Sequence, residues 1–256
     1  MEMHAVKLRN CVIGAVRRLV TEVGTVTAYR EPLVGFAATD DPRFRELREV
    51  VPGHRLPQDL LPDARTVIAF FLPFERWVVG ANATHRENVA AEWATAYVET
   101  NTLIGQITTH LIEALAKQRI GAVAEPPTRN FGPVTLTSSW SHKSAAVIAG
   151  LGSFGLHHMV ITDAGCAGRF GSLIIDAALP IAATQTKERC LYRHDGSCRE
   201  CVERCPIQAL GEDGSLDRKR CYQHLQAVSE SHEHLGAVSI CGKCALGPCA
   251  LQSAVQ

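Results

Sequence analysis

The sequence predicts an α+β or α/β layer domain of roughly 180 residues followed by a small cysteine-rich domain. Three observations point that way. Helix-spaced apolar positions alternate with short β-rich runs over residues 1–184. Composition then shifts, so that residues 185–256 hold cysteines and charged residues with few aliphatic runs. Eight of the ten cysteines lie within the last 67 residues, from Cys190 to Cys249, and so short a segment needs something other than apolar burial to hold it together.

Taken in order, residues 4–23 show helical spacing, with Leu8, Val12, Val16 and Leu19 as the apolar stripe and Cys11 as a small hydrophobe within it. Residues 25–38 read as extended segments around Pro32 and Gly35. Arg65 to Pro73 is a short β-rich apolar run that suits a buried strand. Trp93, Tyr97, Ile104, Ile107, Leu111 and Leu115 recur at helical intervals, which predicts the longest helix over 87–118, ended by Gly121. A helix is expected over 144–149, and two more strands at Met159 to Thr162 and Ser172 to Asp176.

Hydrophobic residues make up 46% of the chain, which excludes a disordered polypeptide. The 26 basic residues cancel the 26 acidic ones, so bulk charge offers no footprint for nucleic acid or an anionic membrane. No apolar run approaches the ~18 residues needed to span a bilayer, and residues 1–10 are charged and lack a secretory apolar region. A cytoplasmic protein is therefore expected. In a reducing compartment clustered cysteines hold metal or do redox chemistry more often than they pair.

The spacing is Cys190-x7-Cys198-x2-Cys201-x3-Cys205-Pro206, then Cys221, then Cys241-x2-Cys244-x4-Cys249. Most of a bacterial ferredoxin run, C-x2-C-x2-C-x3-C-P, is present. Its first position is Asp195, and Cys190 stands five residues earlier, across a polar, turn-forming stretch that would let it fill the gap. Eight thiolates are what two [4Fe-4S] clusters require. The ferredoxin crossover, applied to these positions, gives one cluster from Cys190, Cys198, Cys201 and Cys249 and the other from Cys205, Cys221, Cys241 and Cys244. Paired C-x2-C knuckles also serve structural zinc; the C-x3-C-P element and the crossover count favour iron–sulfur.

Gly150-Leu-Gly-Ser-Phe-Gly155 matches G-x-G-x-x-G, with Asp176 some way beyond as a ribose-binding acid would be. The intervening residues 156–171 contain β-branched residues and three glycines and leave no room for the crossover helix a dinucleotide fold demands. The glycines either let backbone approach a flat, bulky ligand or make a tight turn.

Ser141-His-Lys-Ser-Ala-Ala-Val-Ile-Ala-Gly-Leu-Gly-Ser-Phe-Gly155, followed by Leu173-Ile-Ile-Asp-Ala-Ala-Leu-Pro180 and then the cysteine module, resembles the superfamily of epoxyqueuosine reductases and reductive dehalogenases. Leu61 to Phe74 also resembles their early strand. The resemblance implies an α+β, nitroreductase-like domain that binds cobalamin, joined to a ferredoxin-like domain whose clusters feed electrons to cobalt, with a low-potential ferredoxin- or flavodoxin-type donor. No D-x-H-x-x-G motif is present, so the corrinoid is expected to be held by backbone and shape around Gly150, Leu151, Gly152, Ser153, Phe154 and Gly155. His157, Trp140 and Arg169 are further candidates for contact with it. The stretch 136–142 lacks the acidic proton donor of epoxyqueuosine reductases, which leaves His142 and Lys143 as candidate donors. His142 could equally cap the following helix or hydrogen-bond in the core, Trp140 fill the core and Arg169 face solvent. His157 and His158 fall on opposite faces if their segment is extended. With zero net charge and seven residues beyond Cys249, nucleic acid is not expected as a partner. The expected activity is an iron–sulfur and cobalamin-dependent reductase of a small molecule; the alternative is an auxiliary electron-transfer or corrinoid-carrier protein serving a corrinoid-protein partner.

Overall fold

The computed structural model describes residues 2–128, 131–132, 134–181, 187–236 and 238–255; the expected domain boundary at 184/185 lies outside them. The first helix, α1 (Glu2–Glu22), buries Leu8, Val12 and Val16. Cys11 is exposed, which corrects its placement in the apolar stripe. It stands about 100° round the helix from Val12 and so leaves the buried face.

The chain continues through β1 (Leu33–Ala38), α2 (Arg43–Val50), α3 (Pro57–Leu60), β2 (Thr66–Pro73), α4 (Arg76–Ala83), α5 (Ala91–Ala116) and β3 (Ala122–Val123). After these come α6 (His142–Ile148), β4 (Gly152–Phe154), β5 (Val160–Thr162), β6 (Gly168–Ile175), α7 (Leu191–Asp195), α8 (Glu200–Glu203) and α9 (Arg218–Ser231). One sheet has the order β1-β2-β6-β3 and every pair is antiparallel, with Ile68 opposite Leu173 in the central pair. This decides for α+β over α/β. A second, two-stranded sheet pairs β4 with β5.

The unbroken apolar character of β2 follows from burial on both faces. Ile68, Phe70 and Leu72 point to a core shared with α1 and α5, while Val67, Ala69 and Phe71 point to a second core with Phe44 of α2, Trp140 and α6. Truncating one of the central rings, as in Phe70→Ala, would cost about 3–5 kcal/mol. The charged helix α2 and the short α4 were not foreseen. Each is held by a few anchors, Phe44 in α2 and Val78 and Val79 in α4, too few to register as periodicity.

The cysteine-rich segment is built into the first layer domain. Val228, Val238, Leu246 and Ala250 pack with Phe74, Val78 and Trp93. The Arg30 guanidinium donates to the carbonyls of Phe74 (2.9 Å), Leu251 (2.7 Å) and Ala164 (2.7 Å). Cys166 N–H donates to the Cys249 carbonyl, and Ala167 N–H to that of Ala250. Lys243 is buried, and its ammonium donates to the carbonyls of Asn82 and His85 and to Asn82 Oδ1 at 2.7–2.8 Å. Among the described residues no helix is long and apolar enough to cross a membrane.

Candidate active site and cofactor centres

The eight clustered cysteines fall into two groups. Cys190, at the N-terminus of α7, Cys198, Cys201 of α8 and Cys249 line one cavity with Leu156 and His157. Burial, and then the nearby Cys249, Cys190 and Cys198, push the Cys201 thiol up to about 12. The other group is Cys205, Cys221, Cys241 and Cys244. Burial and then Cys241, Cys221, Cys201 and Cys205 raise the Cys244 thiol; Cys241 and Cys221 are raised by burial and by neighbours from the same group. Cys205 lies with the second group rather than with its sequence neighbours Cys198 and Cys201. Asp195 is turned outward, accepting Ser197 N–H at 2.9 Å, and Cys190 lines the first cavity. Four thiols packed together in a low-dielectric site cannot all ionise without a cation among them. Each donor set therefore fits a thiolate-bound cluster.

Cys166 is a residue that spacing did not single out. It lies 83 positions from Cys249, yet their sulfurs are 3.8 Å apart, and His157 Nε2 is 3.3 Å from Cys249 Sγ. Met159 N–H donates to His157 Nδ1 at 3.0 Å, so the ring proton resides on Nε2 and points at Cys249. Hydrogen bonding from Cys166, then from His157, brings the Cys249 thiol down to about 5 against the effect of burial; Cys166, the donor thiol, is raised. His157 thus stands beside the first cysteine group, away from the expected corrinoid side.

A cavity of about 340 Å³ opens between the first turn of α6 and β6, lined by Lys143, Arg169, Trp93, Trp140, Cys241 and Cys244 among others. It shares Ser138, Ser141, Lys143, Leu225 and Ser239 with a neighbouring space of about 580 Å³ that reaches Cys221. That space in turn meets an outer one of about 830 Å³ along Phe131 and Ser138. Cys241 and Cys244 border the first of these spaces and Cys221 the second.

The predicted site residues are distributed unevenly around these spaces. Ser141 caps α6, its Oγ accepting Ser144 N–H, so the capping role considered for His142 belongs to its neighbour. His142 is buried, with Nδ1 2.8 Å from Ser172 Oγ and Nε2 3.0 Å from the Pro126 carbonyl. Trp140 Nε1 donates to the same Ser172 at 2.9 Å. Both imidazole nitrogens are engaged and burial lowers the ring's pKa, so a proton-donor role for His142 is corrected to one of holding the loop before α6. Trp140 is 1% exposed; packing, rather than an open stacking face, is its role. Lys143 keeps its candidacy: its Nζ donates to the His158 carbonyl at 3.0 Å, and burial lowers its pKa.

The glycine-rich segment is a turn and a strand. Gly150 ends α6 in the left-handed region (φ 78°), and a Cβ on Gly152 would lie 2.2 Å from the Ile161 carbonyl oxygen. Of Gly150, Leu151, Gly152, Ser153, Phe154 and Gly155, Phe154 reaches the middle cavity; the tight-turn alternative describes the glycines. His157 and His158 lie in a turn, His158 at φ 59° with Nε2 bonded to the Gly214 carbonyl at 2.8 Å, so the alternation expected of an extended segment does not apply. Arg169 faces the inner cavity, its guanidinium 4.3 Å from the Tyr97 ring centre.

These features are two groups of clustered cysteines beside cavities large enough for a ligand. No protein-family profile matches the chain. In sequence it is 33% identical over 97 residues to an epoxyqueuosine reductase of Yersinia pestis, covering 38% of this chain and 22% of that one. In structure it is similar to an epoxyqueuosine reductase solved with an epoxyqueuosine-modified tRNA-Tyr stem loop, with TM-score 0.62 and 18% identity over 95% of this chain and 65% of the other. A catabolic reductive dehalogenase in complex with 3-bromo-4-hydroxybenzoic acid follows, at TM-score 0.58 and 14% identity over 94% and 32%. Dehalogenation by another protein of this fold is described as B12-dependent. The resemblance to epoxyqueuosine reductases thus holds in sequence and in fold, and that to reductive dehalogenases in fold. The chain spans about a fifth of the length of the curated relative named above and two thirds of the solved reductase.

Proposed function

We propose that the chain is an iron–sulfur and cobalamin-dependent reductase of the epoxyqueuosine reductase-like type, acting on a small molecule. The observation that supports this reading is the grouping of Cys190, Cys198, Cys201 and Cys249 around one cavity, with Cys241, Cys244 and Cys221 bordering neighbouring spaces of about 340 and 580 Å³. Cys190, Cys198, Cys201 and Cys249 would hold one [4Fe-4S] cluster and Cys205, Cys221, Cys241 and Cys244 the other. The walls of the larger space, from Ser138 to Lys143 and around Tyr222 and Leu225, would hold the corrinoid. The bound cofactors would supply one-electron relay and a reduced, nucleophilic cobalt centre.

The chain's own residues complete the site. Lys143 sits at the junction of the inner and middle cavities, where its ammonium can deliver a proton. Its lowered pKa brings that proton nearer to release at neutral pH. Trp140, Ser172 and His142 hold the loop that carries it. Trp93, Phe170 and Ile240 line the inner end and exclude water.

Anaerobically purified protein is expected to contain iron and acid-labile sulfide and to change the spectrum of added cob(II)alamin. Zinc without sulfide, or an unchanged corrinoid spectrum, would overturn the corresponding half of the proposal. Zero net charge supports a small substrate; saturable binding of an epoxyqueuosine tRNA stem loop would overturn that part. A corrinoid carrier without turnover is the second reading, favoured because no carboxylate lines the inner cavity among the described residues. Lys143→Met separates the two, since a carrier keeps cobalt reduction while a reductase loses turnover.

A further inference from the structure

Two side chains from outside the cysteine-rich segment reach into the first cysteine group. His157 Nε2 is 3.3 Å from Cys249 Sγ, and the Cys166 sulfur is 3.8 Å from it. Both residues are buried, at 5% and 1% exposure, so water does little to replace or screen these contacts. Their direction is fixed. Met159 N–H donates to His157 Nδ1 at 3.0 Å, which leaves the ring proton on Nε2, nearer to Cys249 Sγ than to Cys166 Sγ at 3.7 Å. Cys166 N–H donates to the Cys249 and Ala250 carbonyls at 2.9 and 3.1 Å, which holds its thiol between Cys249 Sγ and the Ala245 carbonyl, 3.7 Å away. A negatively charged sulfur is the stronger acceptor of those two. The second group is built differently. Among the described residues its sulfurs meet backbone donors alone, Ala209 N–H at Cys205 (3.2 Å) and Lys243 N–H at Cys241. The first group has backbone donors of the same kind, Glu200 at Cys198 and Val202 at Cys201, so His157 and Cys166 are additional to them.

We propose that His157 and Cys166 are positioning residues that set the reduction potential of a [4Fe-4S] cluster held by the first group, raising it so that a low-potential donor reduces this centre more completely. The inference rests on the iron–sulfur reading of the cysteines. In the step concerned the donor loses one electron and the cluster gains it; no bond is made or broken and no proton moves. The added negative charge spreads onto the ligand sulfurs, and hydrogen bonds aimed at a sulfur stabilise the more negative state. His157 lies just before β5 and Cys166 just before β6. The strands of the layer domain thereby tune a centre whose four ligands all come later in the chain.

The test is a redox titration of anaerobically purified, iron-replete protein, with each reduced centre read by electron paramagnetic resonance. In His157→Phe the ratio of reduced to oxidised cluster in one centre is expected to fall about tenfold at a fixed ambient potential, equivalent to about 59 mV for a one-electron couple. The other centre should stay where it is. His157→Gln, which keeps an N–H donor, should restore part of the shift. Cys166→Ala should move the same centre in the same direction, and Cys166→Ser, which keeps a hydroxyl donor, should move it less. Iron, sulfide and the circular dichroism spectrum are checked in every variant; Cys166→Ala, the smaller change, carries the test where His157→Phe loses iron. Unmoved potentials, an upward shift, or equal shifts of both centres would overturn the proposal. Shifts just as large in His157→Gln and Cys166→Ser would assign the effect to packing and overturn it too. Wild-type protein without iron and sulfide would sink the iron–sulfur reading and this inference with it. Two couples indifferent to both substitutions would sink the inference alone and leave that reading standing.

Discussion

Removing the imidazole beside Cys249 should tighten that residue's hold on its proton by a predictable amount. In the metal-free protein Cys249 Sγ accepts from His157 Nε2 at 3.3 Å and lies 3.8 Å from the Cys166 sulfur, which together bring its thiol to about 5. A hydrogen bond to a charged acceptor contributes about 1.5–3 kcal/mol, and one pH unit corresponds to about 1.4 kcal/mol. His157→Phe should therefore raise the Cys249 thiol by about one to two pH units. Cys166→Ala should raise it at least as far, because Cys166 is the larger influence. The rate of alkylation by iodoacetamide, followed at the Cys249 peptide by mass spectrometry between pH 4 and 9, reads the midpoint directly. An unchanged midpoint in both variants would refute the geometry. The depressed thiol also ties stability to pH. Its contribution is fully present above the ordinary thiol range and is lost as pH falls through about 5, and His157→Phe should move the lower edge of that window upward.

Further outcomes follow from the same contacts. Cys201→Ser and Cys241→Ser should each remove about half of the iron by colorimetric assay, and the double variant nearly all of it, since the two residues belong to different cysteine groups. Cluster reconstitution should become slower and less complete as pH is lowered, because burial and mutual repulsion keep the Cys201 and Cys244 thiols protonated; absorbance near 400 nm follows it. Gly152→Ala places a methyl against the Ile161 carbonyl and should lower stability by about 1–3 kcal/mol in urea unfolding, whereas a glycine kept for cofactor approach would leave the metal-free protein unaffected. Lys243→Met strands the Asn82 and His85 acceptors and should cost about 3 kcal/mol, read as a lower Tm.

How much of this was legible in the chain depended on whether the physics is local. The strand at 66–73 and the helix at 91–116 were readable because burial on both faces of one and one face of the other writes itself into residue spacing. The crowding of eight cysteines into one segment was readable because ligand-type spacing is written in short intervals of sequence. The partnership of His157 and Cys166 with Cys249 was not, since it is set by where β6 enters the sheet and leaves no interval behind. The glycine-rich segment misled in the opposite way. Its pattern is shared by backbones that approach ligands and backbones that approach each other, and only the distance from Gly152 to Ile161 separates the cases. For His142 the sequence left a proton donor and a hydrogen-bonded core residue both open, and the partners of its two nitrogens, Ser172 Oγ and the Pro126 carbonyl, favour the second.

The Arg30 clamp has a consequence for how the molecule comes into being. Its guanidinium needs the carbonyl of Leu251, 221 positions later, and the start of β6 needs those of Cys249 and Ala250. During synthesis the sheet can assemble from β1, β2 and β6, but Arg30 lacks its Leu251 acceptor, and Cys166 and Ala167 lack those of Cys249 and Ala250, until residues 249–251 have left the ribosome. The cysteine centres are thereby completed in the same event that closes the sheet's neighbourhood. A nascent chain that acquired its metal late would expose incomplete backbone pairing as well as free thiols, which links metal supply to the yield of folded protein.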